Sequence, residues 1–133
     1  MFGPVDILIA NAGYLPDITP LATGDLNELM KGFDVNVRGN LNVFQAFLAN
    51  SSEHPTLVHV STGGVHAPAI GPGMGAYVAG KLAAAKLMEY AAMENPHVRV
   101  HTIHPGVVAT PMNKKSADAG FSLPFDEGMI FFS

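Results

Sequence analysis

Val5-Asp6-Ile7-Leu8-Ile9-Ala10-Asn11-Ala12-Gly13 is a short apolar run that stops abruptly at Asn-Ala-Gly. Val5 to Ala10 therefore reads as a buried strand of a parallel sheet, closed by a turn. Working outward, Tyr14 to Gly24 carries Pro, Thr and Gly and reads as a loop. From about Asp25 to Asn50 the pattern is helical, with Leu26, Leu29, Phe33, Val37, Leu41, Phe44 and Leu48 three or four residues apart. Thr56 to Ser61, after Pro55, reads as a second strand. Ala76 to about Asn95 reads as a second helix, stopped by Pro96, and Val98 to His104 as a third strand, again closed by Pro. Strand, helix, strand, helix, strand predicts an α/β fold with parallel pairing and right-handed crossovers. The second helix is apolar nearly all round, from Leu82 through Leu87 and Met88 to Ala92. Such a helix must be covered on more than one side, by the sheet and by another helix or a partner subunit.

Composition narrows the classes. The chain has 133 residues, 48% hydrophobic and 14% charged, enough for one domain or less with a core. A net charge of −4 offers no basic footprint, which argues against nucleic acid as a partner. No apolar run reaches transmembrane length and no basic-then-apolar leader opens the chain, so no membrane association is expected and the cytoplasm is the default compartment. Without Cys there are no disulfides and no thiolate chemistry. His97, His101 and His104 cluster, but on a strand the first two face one side and the third the other, with no carboxylate at ligand spacing. No metal site is expected.

The chemistry gathers around Tyr77-Val78-Ala79-Gly80-Lys81, at the start of the second helix. A Tyr and a Lys four apart on a helix lie one turn above the other. A free phenol titrates near ~10, too high for proton transfer at neutral pH, and a neighbouring ammonium should favour the phenolate. That makes an acid/base suited to an alcohol or ketone. The spacing alone is a weak signal, but four further segments stand in order around it: Asn11-Ala12-Gly13, the helical Asn36, the strand-end pair Ser61-Thr62, and Pro105-Gly106-Val107-Val108-Ala109-Thr110.

This arrangement resembles the short-chain dehydrogenase/reductase family, over Val5 to about Met112. The resemblance implies a partial Rossmann-type doubly wound parallel sheet, with residues 1–112 the C-terminal portion of an NAD(P)-binding domain. Residues 113–133 are a tail, either disordered or a substrate-side region cut short. It further implies that Tyr77 exchanges a proton with the substrate oxygen while hydride passes to or from NAD or NADP. Lys81 would lower the Tyr77 pKa and bind the nicotinamide ribose. The strand frame puts Thr62 in the substrate-orienting slot with Ser61 beside it. Asn36 would distort its helix and hold a proton-relaying water. Asn11, Ala12 and Gly13 would line the adenosine ribose side, and Pro105, Gly106, Val108 and Thr110 the nicotinamide carboxamide. A homo-oligomer through the two long helices and a small alcohol or ketone substrate follow from the same likeness.

One family element is missing from the sequence. The family's Gly-rich Thr-Gly-x-x-x-Gly-x-Gly turn, which sets dinucleotide phosphates on a helix N-terminus, has no counterpart here. Gly71-Pro72-Gly73-Met74-Gly75 follows no strand directly and cannot replace it. It reads as a substrate-side loop or as a plain connection. Two functional readings result: an NAD(P)-dependent oxidoreductase, or a truncated, non-catalytic member that pairs with a full-length relative or is inactive. These 133 residues alone are expected to turn over little NAD(P)H, and the shortened sheet should leave an edge and one face open. An epimerase or dehydratase using the same Tyr-Lys pair is a more distant reading.

Overall fold

The computed structural model describes residues 3–122 and 130–132; the remaining part of the tail, residues 123–129 and Ser133, lies outside the described residues. Three strands run parallel in the order of the chain: β1 (Val5–Ala10), β2 (Ser51–Val60) and β3 (Arg99–His104). β4 (Ile130–Phe132) adds to β3 antiparallel. The strand-helix alternation is as expected, and the short antiparallel β4 is the element that the sequence did not announce.

β2 begins earlier than the apolar pattern indicated. Val5 pairs with Ser51, but Ile7 already pairs with Thr56, so the register slips between them. Buried Pro55 lies in that interval and has no N–H to give the ladder, which places the irregularity there. From Thr56 the ladder is regular, and it continues into Arg99–Ile103 of β3.

The first helical stretch is three pieces: α1 (Leu26–Phe33), a π-helical segment (Asp34–Gly39) and α2 (Asn40–Leu48). Asp25 starts α1, its carboxylate accepting the Asn27 N–H at 2.8 Å. α3 (Gly75–Glu94) is the long Ala-rich helix, and α4 (Pro111–Asp118) follows β3. Thr110 caps α4 by accepting the Asn113 N–H, and Pro111 occupies its first turn, where a missing N–H costs nothing. α4 crosses position 112, so the first residues of the tail are helical.

The core is one-sided. Phe44 and Phe47 of α2, Met88 and Ala91 of α3, Leu57 of β2 and Val98 form one cluster, with Leu8 and Val100 packed against it from the flanking strands. Both helices therefore cover the same sheet face. On the other face Ile7 and Ile9 are each 62% exposed. This is the open face expected of half a doubly wound sheet. α3 is buried along Gly80, Ala84, Ala85 and Met88, yet Leu82, Tyr90 and Met93 on it remain exposed, as does Leu26 of α1. No helix among the described residues is long and apolar enough to cross a membrane.

Candidate active site

The C-terminal ends of the three parallel strands open onto one cavity of about 770 Å³. This is where α/β sheets place their ligands, because the strand ends and the following turns leave a crevice there. β1 delivers Asn11, Ala12 and Gly13 to its lining, β2 delivers Ser61 and Thr62, and β3 delivers Pro105, Gly106, Val108 and Thr110. α3 adds Tyr77 and Lys81. Every site residue expected from the sequence lines this cavity except Asn36.

Asn36 acts from behind. It is fully buried, and its side chain clamps the backbone of Tyr14 from both sides: Oδ1 accepts the Tyr14 N–H at 2.7 Å and Nδ2 donates to the Tyr14 carbonyl at 2.9 Å. Its own carbonyl accepts Asn40 Nδ2 at 2.7 Å, a bond available because the π turn displaces the usual helical ladder. Gly13, next to the clamp, lies close to the Lys81 head. A Cβ there would lie 3.2 Å from Lys81 Nζ and 3.6 Å from Asn36 Oδ1.

Lys81 is 3% exposed, and its ammonium donates to the Val60 carbonyl at 2.9 Å. Burial lowers its pKa from 10.5. Tyr77 departs from the tuning expected of it: burial raises the phenol above its ordinary value of 10.0. The ammonium is drawn toward a strand-end carbonyl, and loss of water around the phenol is the effect that prevails. The shift moves Tyr77 away from the phenolate rather than toward it.

The two candidate hydroxyls differ in what they already bond. Thr62 Oγ1 accepts the Gly64 N–H at 3.5 Å and caps the short 3-10 turn Gly63–Val65. Ser61 Oγ is buried without a protein partner, although its backbone N–H pairs with the Ile103 carbonyl at 2.8 Å. A buried hydroxyl with no partner is costly, and one lining a cavity is available to a ligand oxygen. Thr110, expected on the carboxamide, accepts the Asn113 N–H at 3.2 Å with its hydroxyl oxygen as the α4 cap. Gly106 takes a left-handed φ of 79°, the reason a Gly follows Pro105.

Three polar features escaped the sequence reading. His59 is fully buried, and neither ring nitrogen has a partner. Burial, with the Lys81 ammonium nearby, pushes its pKa down to about 4. Strand parity was the available signal, since His59 shares the parity of Leu57 and with it the helix-covered face. His104 lines the cavity with its ring against Gly63, and its Nδ1 is unpartnered. Tyr14 forms the third: its hydroxyl bonds Glu28, accepts Lys31 Nζ at 3.2 Å, and its ring carries Lys31 at 4.5 Å. No cluster of three metal-ligating side chains occurs among the described residues.

A nicotinamide cofactor can be tested against this lining. The Gly13 cradle, the unpartnered Ser61 hydroxyl and the cavity size suit its nicotinamide end. No Gly-rich turn in the 133 residues suits its phosphates. The fit is to half of the molecule.

A family model described as short chain dehydrogenase matches residues 1–120. The short chain dehydrogenase gsfK of Penicillium aethiopicum is 32% identical over 98% of this chain and 55% of its own length. The short chain dehydrogenase/reductase AacuD of Aspergillus aculeatus is 34% identical over 82% of this chain and 39% of its own. The chain spans about half the length of the curated relatives it matches. Among solved structures, an alcohol dehydrogenase from the archaeon Thermococcus sibiricus, complexed with 5-hydroxy-NADP, superposes with a TM-score of 0.73 at 33% identity, covering 82% of this chain and 46% of that one. A chain from Escherichia coli CFT073 solved with NADPH gives 0.79 at 28% identity, covering 92% and 51%.

Proposed function

The chain belongs to the short-chain dehydrogenase family, and on that premise we propose that it carries the catalytic half of an NAD(P)-dependent oxidoreductase acting on a hydroxyl/carbonyl pair. The observation that supports this most is the convergence of Tyr77, Lys81, Ser61 and Thr62 on one cavity at the strand ends. Asn11, Ala12, Gly13, Pro105, Gly106, Val108 and Thr110 would hold the nicotinamide side of NAD or NADP, which supplies or accepts the hydride when bound.

Within this reading, Thr62 or Ser61 fixes the substrate oxygen. Ser61 has the free hydroxyl, while Thr62 holds the family's slot. Tyr77 Oη gives its proton to that oxygen as negative charge develops there, and takes it back in reverse. Burial raises the phenol above its ordinary value, so Tyr77 starts from the protonated form when it donates, and the same group accepts the proton when the alcohol is oxidised. Lys81 stabilises the phenolate once it forms. Asn36 keeps Tyr14, and with it Gly13, in place beside the Lys81 head. A homo-oligomer through the helices would cover Leu82, Tyr90 and Met93.

The non-catalytic reading draws on the open sheet face and on the lack of a phosphate cradle in these residues. Deuterium transfer separates the two readings. The purified chain at high concentration is given deuterated NADPH and a ketone, and label in the alcohol is read by mass spectrometry. Slow transfer, reduced roughly 100-fold or more in Tyr77→Phe, is the expected result. Equal label in both proteins would refute catalysis by this chain.

A further inference from the structure

We propose that, beside the nicotinamide cofactor, the cavity takes as its substrate a neutral, largely apolar ketone or secondary alcohol that offers one oxygen to the Tyr77 corner, and that it rejects carboxylated or phosphorylated substrates. The proposal rests on the oxidoreductase reading above and names its substrate class.

Outside the polar corner, the wall is built by Leu15, Ile70, Met74, Met112 and Phe121. These come from three segments far apart in sequence: the loop after β1, the Gly-rich stretch before α3, and α4 with its exit. Ties on the outside hold the three together. Lys115 Nζ donates to the Leu15 carbonyl at 2.9 Å and pairs with Asp17 at 2.8 Å, joining α4 to the first loop. Ser116 Oγ donates to the Phe121 carbonyl at 2.7 Å, fixing the turn that carries the ring. Phe121 lies so close over Gly71 that a Cβ there would come within 2.9 Å of it. Gly73, with φ 83°, brings the Gly-rich stretch against Ile18 of the first loop. The apolar wall is therefore pre-formed by specific contacts.

Charge is scarce inside it. Among the described residues lining the cavity, Lys81 is the one Lys, Arg, Asp or Glu, and its ammonium is already engaged by the Val60 carbonyl. Lys115, which could meet an anion, is turned outward to Asp17. A carboxylate against Leu15, Ile70, Met74, Met112 and Phe121 would lose its water and gain no charged partner from them, whereas an apolar body gains by leaving water. Ser61 Oγ and the Tyr77 phenol provide for one oxygen.

The test uses 2-acetyl-6-(dimethylamino)naphthalene, a neutral aryl ketone whose emission moves to shorter wavelength in apolar surroundings. Its charged counterpart is 6-(dimethylamino)-2-naphthoate. With the purified 133-residue chain, the ketone should bind with a blue shift at least about 10-fold more tightly than the naphthoate. Met112→Asp should weaken ketone binding roughly 10-fold or more; it lies in the first turn of α4, where an acidic residue suits the helix dipole. Ile70→Asp, in a loop, should do the same. Ile9→Asp, on the open sheet face, should leave binding unchanged, which localises the probe. Naphthoate binding equal to ketone binding overturns the proposal. So does ketone binding insensitive to both cavity variants.

Probe binding needs neither cofactor nor turnover. If the ketone binds as described but no deuterium is ever transferred, the oxidoreductase reading fails and the ligand class stands. If label passes to a carboxylated ketone while the neutral probe does not bind, the ligand class fails alone.

Discussion

The two faces of the sheet share the same strands and differ in everything that stabilises them. On the helix-covered face, Leu57 and Met88 are sealed beneath α2 and α3. On the other, Ile7 and Ile9 stand largely in water on either side of half-buried Leu8. Parity alone assigns each residue to its face. The contrast teaches that one layer of helices suffices to define a core and to bring three strand ends to one cavity. The second face adds nothing to the site, and its apolar residues are a surface awaiting cover.

The largest expected effect lies on the covered face. Leu57→Ala should cost roughly 3–5 kcal/mol in denaturant unfolding, since Leu57 is completely enclosed and the surrounding helices cannot collapse fully into the space. A loss below about 1 kcal/mol would mean that the one-sided core is loosely packed.

Next comes acid. His59 has an unfolded value of 6.5 and a folded value of about 4, lowered by burial and then by Lys81. Between those values the unfolded chain binds more protons, so stability falls as pH drops from about 6.5 to about 4. The full difference is about 3 kcal/mol. His59→Leu should remove that slope while leaving the melting temperature at neutral pH equal or higher, because two unpartnered ring nitrogens disappear with it. Lys81 contributes at the other end: its lowered value makes stability rise as pH climbs toward 10.5, outside the acid window. An unchanged acid slope in His59→Leu would move the cause elsewhere.

A smaller effect is expected at Asn36→Ala, about 2 kcal/mol, from leaving the Tyr14 N–H and carbonyl without their amide partner. Hydrogen exchange at Tyr14 should accelerate more than exchange in β2.

Much of this was legible in the sequence. The apolar runs ended by Asn-Ala-Gly, Ser-Thr and Pro-Gly placed three strands and their C-terminal turns, and the order of elements placed the turns together. Tyr77 and Lys81 reached the cavity as their spacing required. What escaped was set by contacts between distant segments. Asn36, inside the π turn, meets Tyr14 far away in sequence, and no local periodicity encodes that meeting. Lys81 turns to the Val60 carbonyl because β2 ends beside it, so the tuning of Tyr77 by the ammonium alone was too simple. The apolar wall joins Leu15, Met112 and Phe121, none of which sits in a motif. His59 was hidden by its residue type: its parity with Leu57 places it on the covered face, but a His gives no sign by itself that it will be buried there.

The smallest effect is also the sharpest test of the contrast. Ile9→Thr exchanges one β-branched residue for another on the open face, keeping strand propensity and removing only exposed apolar surface. Stability should change by less than ~0.5 kcal/mol, because a side chain already 62% exposed has little burial to lose. Light scattering should show less self-association, because the exposed patch beside an edge strand invites contact between copies. If Ile9→Thr were instead to cost as much as Leu57→Ala, the face would have to be buried in solution, and the sheet would carry two cores rather than one. Only the near-neutral result keeps the two faces as different as their exposures make them.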